Sequence, residues 1–177
     1  EFGGGLMTDW GAHMMDIAQW GLGVDMRGPA KVIPRGYEGT EYLTYIYDDG
    51  TKLIHKAFEG ETRGVKFIGD KAWIAVARGY FEASDQALFP EKEVNPEIPY
   101  EGRVAHHVDF IESIQTRRDP VAPVEIGHHS CVACTLGNIA AELERPVQWD
   151  AVNEKFVDDP VADQHLHREY HHGYQLV

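Results

Sequence analysis

The chain has 177 residues, of which 43% are hydrophobic and 25% charged, a balance typical of a globular protein and not of a disordered or collagen-like one. Sixteen Lys and Arg residues stand against 29 Asp and Glu residues, and the formal charge of −13 excludes nucleic acid as an expected partner, because phosphate binding needs a basic surface. No apolar run approaches the roughly 18 residues of a membrane span, so we expect no membrane partner either.

The first predicted element is a helix from Thr8 to Leu22. Thr8 is a suitable N-cap, and Gly23 is placed to end the helix. At 100° per residue the helix has a packing face and a polar face. The packing face holds Trp10, Met14, Ile17 and Gly21, and the polar face holds Asp9, His13, Asp16 and Trp20.

From Pro29 the hydrophobic pattern changes to a period of two, which predicts strands. The predicted strands are residues 31–33, 42–47, 53–58, 65–68 and 72–76. Short connections rich in turn formers, at residues 48–50 and 69–71, favour an antiparallel meander. Tyr45 and Tyr47 share one face of their strand, where they form a sugar platform, an oligomer surface or, as the pattern favours, part of the sheet packing.

Residues 84–102 contain three prolines and many acids without a period, which indicates a long surface loop. Two helices follow. The first has a stripe of Val104, Val108, Ile111 and Gln115; the second has an apolar stripe of Val132, Leu136, Ile139 and Leu143 beside small residues at 130, 133, 137 and 141. Residues 146–150 form an extended piece, and a polar tail covers the surface beyond Asn153.

This order of elements predicts an α+β fold: an open, mostly antiparallel or mixed sheet with helices on one face. The opposite sheet face is left available for oligomerisation, because too few helices are predicted to cover it.

Asp9 and His13 are the candidate catalytic residues. They lie at positions i and i+4 of the predicted helix, where a carboxylate can orient an imidazole and stabilise its charged form. An imidazole suits abstraction of an alcohol proton, and Gly3, Gly4 and Gly5 allow a ligand to approach the backbone. The alternative is a helix whose Asp and His are merely solvated, which spacing alone favours because such pairs are common.

The glycine run followed by Asp9-x-x-x-His13-x-x-Asp16 resembles the start of the C-terminal domain of the Gfo/Idh/MocA family, the glucose-fructose oxidoreductase and inositol dehydrogenase type. The resemblance covers most of the chain. It continues in Gly69-Asp70-Lys71-Ala72-Trp73, in the segments 109–114 and 127–130, and in Leu136-Gly137-Asn138-Ile139-Ala140.

The resemblance implies an NAD- or NADP-dependent oxidoreductase of a carbohydrate or polyol, with His13 accepting the hydroxyl proton and Asp9 orienting the substrate and His13. It also implies that residues 1–177 are an α+β domain for substrate contacts and homo-oligomer formation. The family's N-terminal Rossmann domain is missing from this sequence, which opens within a glycine run and lacks Gly-x-Gly-x-x-Gly after a strand. We therefore expect a fragment of a longer parent, with NAD or NADP bound only by that parent and no activity in the isolated chain.

Two other functions stay open. One is an NAD-dependent glycosidase on the same scaffold, and the other is a non-catalytic binding or oligomerisation module. His128, Cys131 and Cys134 are close in sequence and suggest a metal site, but the spacing supplies too few convergent ligands, so we expect no metal and no cofactor-binding residue in this chain.

Overall fold

The computed structural model describes residues 3–58, 63–88, 103–167 and 173. These residues form helices and open antiparallel sheets, which confirms the predicted α+β class. None of the described helices is both long enough and apolar enough to cross a membrane. The predicted loop at 84–102 contains a short 3-10 helix at Gln86–Leu88, and its residues from 89 onward lie outside the described part of the chain.

The first sheet has five strands in the order β3-β2-β1-β7-β8. Its strands are β1 (Lys31–Ile33), β2 (Leu43–Ile46), β3 (Lys52–His55), β7 (Val147–Asp150) and β8 (Lys155–Phe156). β1 pairs antiparallel with both β2 and β7, so the extended piece predicted near the end of the chain returns to the middle of the sheet.

The second sheet has three strands in the order β4-β5-β6, and all of its pairs are antiparallel. They are β4 (Gly64–Ile68), β5 (Trp73–Ala77) and β6 (Tyr80–Ala83). The predicted antiparallel pairing of neighbouring strands holds within each sheet, but one continuous meander does not form, because β3 and β4 belong to different sheets and the strands β4 to β6 form a sheet of their own. β6 was not predicted, although Gly79 takes the positive φ of 73° that a tight turn before it requires.

The predicted first helix is two helices, α1 (Gly5–Thr8) and α2 (Trp10–Leu22), which meet at Asp9. Asp9 has non-helical angles of φ −94° and ψ −96°, and it makes no side-chain cap. Thr8 ends α1 and does not cap the long helix. Gly23 ends α2 in the left-handed conformation as predicted, and its N–H donates to the carbonyls of Gln19 and Trp20.

The predicted packing face of α2 is half-buried and contacts the second sheet, but it is not the side of the helix that enters the core. The buried residues of α2 are Met15, Ala18 and Gln19, because this side of the helix packs on α4 (Val124–Leu143). Trp10 and Met14 are half-buried on another side, where α2 contacts β4.

The two later helices fulfil their predictions to different extents. In α4, Leu136 and Ile139 are 1% and 4% exposed, which confirms the middle of the predicted stripe. Ala141, however, is exposed, and its neighbour Ala140 is buried in its place. α3 (Arg103–Thr116) forms as predicted, but its stripe is no core face, since Val104 and Ile111 are 56% and 50% exposed.

The tail beyond Asn153 is more than a polar surface cover. Phe156 of β8 is 2% exposed and packs edge to face on Trp149, with ring centroids 5.1 Å apart. Arg145 donates to both carboxylate oxygens of Asp159 at 2.6 and 2.8 Å, which lowers the pKa of Asp159 and ties this segment to the end of α4. α5 (Pro160–Asp163) follows, and its Ala162 is fully buried.

The close approach of α4 to the first sheet depends on Gly137. A Cβ at this position would overlap Tyr45 Oη and would lie 3.2 Å from Leu43 Cδ2. Tyr45 is fully buried, so its ring has little room to move aside. Glycine is therefore the residue that lets helix and sheet pack at this distance.

We predict that Gly137→Ala lowers the free energy of unfolding by about 1 to 3 kcal/mol, because the added methyl overpacks the helix against Tyr45. Gly127→Ala is the control on the same helix: nothing lies within 4 Å of a Cβ there, so it should stabilise the protein by about 0.5 to 1 kcal/mol. Denaturant unfolding measures both. Tyr45→Phe in the Gly137→Ala background should recover part of the loss, and a loss that Tyr45→Phe leaves unchanged would contradict this contact.

Candidate functional site

A cleft of about 890 Å³ lies between α2, the N-terminal half of α4 and the segment that leads into α4. His13, Asp16 and Trp20 come from α2, and His128, Ser130 and Cys131 come from α4. The remaining lining residues are Ala12, Asp25, Val121, Ala122, Pro123, Val124, Ile126 and Gly127. The cleft thus combines an apolar floor with a few polar groups, the composition of a small-molecule site.

Of the two predicted catalytic residues, His13 lines this cleft and Asp9 does not. The imidazole of His13 is exposed and has its ring partner in Trp10, with centroids 5.6 Å apart. No hydrogen bond joins Asp9 to His13 in the described part of the chain. The i, i+4 argument assumed one continuous helix, whereas the break at Asp9 takes that carboxylate out of register. Their joint role in catalysis stays a prediction.

The glycine run before this helix has a packing role. The Gly4 carbonyl accepts a hydrogen bond of 2.8 Å from Asn138 Nδ2 of α4, and a Cβ at Gly4 would overlap Thr8 and the Asn138 amide. α1 is thereby fixed against α4. Gly4 thus admits a neighbouring side chain, whereas nothing lies within 4 Å of a Cβ built at Gly3 or Gly5, where approach of a ligand stays a prediction.

A chain of hydrogen bonds leads from the core to the cleft and was missed by the sequence analysis. Tyr47 donates to Gln19 Oε1 at 2.9 Å, Gln19 Nε2 donates to Ser130 Oγ at 3.3 Å, and Ser130 donates to Asp16 Oδ1 at 3.0 Å. Gln19, Tyr47 and Ser130 are 0%, 2% and 4% exposed. Burial raises the pKa of Tyr47, so its hydroxyl keeps the proton that it donates.

Neither the buried Gln19 nor the role of Ser130 has a clear signal in the sequence. Ser130 belongs to the strip of small residues in α4, and that pattern indicates its small size but not a role for its hydroxyl. A glutamine between alanine and tryptophan near the end of a helix is normally solvated. Tyr45 and Tyr47 are both buried in the core, so the sugar-platform alternative for them is wrong.

The close carboxylate–imidazole contact of the cleft is made by different residues from those predicted. His128 Nε2 lies 2.5 Å from Glu154 Oε1, and the two side chains are 50% and 48% exposed. Glu154 stands in the turn between β7 and β8, so this contact joins α4 to the end of the first sheet. His128 therefore forms part of the wall facing α2.

The two cysteines have different environments. Cys131 is exposed on the cleft, while Cys134 is buried, and burial raises the pKa of the Cys134 thiol to about 11. Cys134 is accordingly a protonated packing group at neutral pH. Within the residues that the structure describes, no group of three or more His, Cys, Asp or Glu side chains is arranged to hold a metal ion.

A second cavity, of about 350 Å³, lies on the opposite side of α2 against β3 and β4. Its wall includes Trp10, whose ring is covered by the Arg63 guanidinium at 4.1 Å. It contains neither His13 nor Asp16, and most of its lining is apolar. Its lining includes the imidazole of His55 but no carboxylate, whereas the larger cleft combines imidazoles with carboxylates.

Comparison with known families decides the relationship. Residues 1–176 match the family model described as the oxidoreductase family, C-terminal alpha/beta domain. The chain belongs to the Gfo/Idh/MocA oxidoreductase family. No curated protein and no solved structure matches it significantly.

Membership of the Gfo/Idh/MocA family confirms the resemblance drawn from the Asp9-x-x-x-His13-x-x-Asp16 string and the motifs after it. The chain is thus an oxidoreductase-family C-terminal domain. In this domain Asp9 lies at the break between α1 and α2, and His13 lines the cleft. Asp16 also lines the cleft and accepts the last hydrogen bond of the buried chain.

We predict that Tyr47→Phe destabilises the domain by about 1 to 3 kcal/mol, because Gln19 Oε1 is left buried without its donor. Tyr45→Phe, two residues away on the same strand face, is the matched control. The Tyr45 hydroxyl is buried without a hydrogen-bond partner among the described residues, so its removal should be neutral or slightly stabilising. Equal effects of the two substitutions in thermal or denaturant unfolding would contradict the hydrogen-bond chain.

Proposed function

We propose that this chain is the substrate-side domain of an NAD(P)-dependent oxidoreductase that acts on a hydroxyl group of a carbohydrate or polyol. The observation that carries the proposal is the cleft in which an exposed imidazole, His13, borders a fixed carboxylate, Asp16. Family membership supplies the reaction class, since the whole proteins of this family generally use NAD or NADP.

His13 has the chemistry for the proton of this reaction. A neutral imidazole nitrogen accepts a proton from a hydroxyl group and can release it again, which is the role of a general base. The side chain is exposed at the cleft, so a substrate hydroxyl can reach it without rearrangement of the helix.

Asp9 takes part in the proposal as a second catalytic residue. It is exposed at the junction of α1 and α2, four residues before His13. From this position a carboxylate orients a substrate, or the His13 ring once a substrate has ordered the junction.

In this proposal the dinucleotide does not bind at the glycine run before α1. Gly4 is packed on Asn138, and the helix that the glycines precede, α1, has only four residues. A phosphate site of the Rossmann type needs free backbone N–H groups at the start of a full helix after a strand. We therefore propose that this chain binds the substrate and accepts its proton, and that a further domain of the natural protein binds the dinucleotide.

We predict that His13→Ala in the natural protein that contains this chain lowers kcat by about 100- to 10,000-fold with a much smaller change in KM, as expected for a lost general base. His167→Ala, an exposed histidine outside the cleft, is the control and should retain wild-type kcat. Steady-state kinetics with NAD or NADP and a panel of sugars and cyclic polyols measure both. Wild-type kcat in His13→Ala would contradict the assignment, and release of an aglycone without net NADH would indicate a glycosidase instead.

The isolated chain should neither turn over a sugar nor bind NAD(H) tightly, because the phosphate-binding elements lie elsewhere. Calorimetry of the 177-residue chain with NADH measures this directly. Binding with a Kd of about 1 to 10 µM would contradict the assignment of dinucleotide binding to another domain.

We further propose that the chain forms a homo-oligomer through its open sheet. Phe67 of β4 faces Gly21 of α2, so its neighbour Ile68 projects from the opposite face, paired across strands with Trp73. Ile68 is 76% exposed, which is typical of a surface that another molecule covers.

Ile68→Glu should therefore shift the protein towards monomer in sedimentation velocity at roughly 50 µM, where micromolar association is visible. Val152→Glu, at an even more exposed position in the turn before β8, is the control and should leave the assembly unchanged. A wild-type chain that sediments only as a monomer would contradict the proposal.

A further inference from the structure

Asp16 is the polar group of the cleft to which nothing above assigns a chemical role. Its Oδ1 accepts the Ser130 hydroxyl at 3.0 Å, and its Oδ2 makes no hydrogen bond to another described residue. The carboxylate is half-buried, so it is partly shielded from water without being cut off from the cleft.

The hydrogen bonds behind Asp16 all run in one direction. The Tyr47 proton goes to Gln19 Oε1, which turns the Gln19 amide so that Nε2 faces Ser130. Ser130 Oγ then accepts from Gln19, and its single proton is left for Asp16. The chain of hydrogen bonds therefore ends at Asp16, which has to act as an acceptor. An ionised carboxylate is suited to this position because it only accepts hydrogen bonds.

This arrangement holds Asp16 more firmly than a surface carboxylate. Gln19, Tyr47 and Ser130 lie between α2, β2 and α4, and each is at most 4% exposed. Residues so enclosed keep a single rotamer, and buried polar groups are retained only where all of them find partners. Asp9, by contrast, is exposed at a helix junction and makes no side-chain cap.

The position of Asp16 relative to His13 suits a substrate with neighbouring hydroxyl groups. The two residues are three apart on α2, so they lie on one helix face with Cβ atoms about 5 to 6 Å apart. If His13 receives the proton of one hydroxyl, the free oxygen of Asp16 is within reach of an adjacent hydroxyl on the same ring. A hydrogen bond to an ionised carboxylate is also stronger than one to a neutral acceptor.

We propose that Asp16 binds the substrate by accepting a hydrogen bond from a hydroxyl other than the one that reacts at His13, and that Ser130, Gln19 and Tyr47 are positioning residues for Asp16. The inference rests on the proposed function, which supplies a polyhydroxy substrate. It adds a specificity residue: the enzyme selects substrates that carry a hydroxyl next to the reacting carbon.

The test is steady-state kinetics of the natural protein that contains this chain. The probes are D-glucose, D-galactose, D-mannose and myo-inositol with NAD and NADP, followed by the monodeoxy derivatives of the best one. Asp16→Asn should lower kcat/KM by about 10- to 150-fold, the size of a hydrogen bond to a charged group. Ser130→Ala should raise KM several-fold with little change in kcat. Ser113→Ala, which removes a buried hydroxyl without a partner among the described residues, should change neither.

A double-mutant cycle between Asp16 and the substrate separates binding from a structural role. For one monodeoxy substrate, the decrease in kcat/KM caused by Asp16→Asn and the decrease caused by the missing hydroxyl should not be additive. The variant with the deoxy substrate should show a decrease in kcat/KM about equal to either single change. The wild-type protein must also reject that substrate by about 10-fold or more, a result that needs no variant to fold.

The outcomes are distinguishable. Additive effects on the free energy derived from kcat/KM for every monodeoxy substrate, or wild-type kinetics in Asp16→Asn, would overturn the role of Asp16 while leaving the proposed function in place. A wild-type protein that oxidises none of the four probes would contradict the proposed function and, with it, this inference.

Discussion

The packing of α2 on α4 is the interaction on which the rest of the structure depends. It buries Met15, Ala18 and Gln19 against small residues of α4, and it brings His13 and His128 to opposite walls of one cleft. Helices approach this closely only where one surface is built from small side chains. Ser130 is such a residue and contacts Gln19 of α2, and Gly137 allows a similarly close contact between α4 and Tyr45 of the first sheet.

Gln19 makes this interface more than a hydrophobic contact. A buried amide is costly unless both of its ends are satisfied, and here one end meets the sheet through Tyr47 and the other meets α4 through Ser130. The bond pattern therefore fixes the rotation of α2 as well as its distance from α4. A one-residue rotation of the helix would move His13 and Asp16 out of the cleft together, so the core and the site are specified by the same contacts.

Much of the fold could be predicted from local patterns. The alternating residues of β1 and β2, the apolar stripe through Leu136 and the helix stop at Gly23 all report a local preference that the tertiary structure leaves in place. The break between β3 and β4 and the pairing of β7 with β1 across more than a hundred residues could not be predicted, because neither is a local preference of the strands involved. The candidate site, like the fold, could be predicted only in part. The family motif locates His13, whereas the break at Asp9 and the burial of Gln19 arise from packing against α4.

The central claim is that the cleft between α2 and α4 receives a polyhydroxy substrate at His13. A crystal structure of the natural protein with a bound sugar or cyclic polyol tests it most directly. The account predicts the ligand in this cleft, with one hydroxyl about 2.6 to 3.2 Å from a ring nitrogen of His13. A ligand held instead in the apolar cavity beside Trp10 and Arg63, with His13 left in solvent, would contradict it.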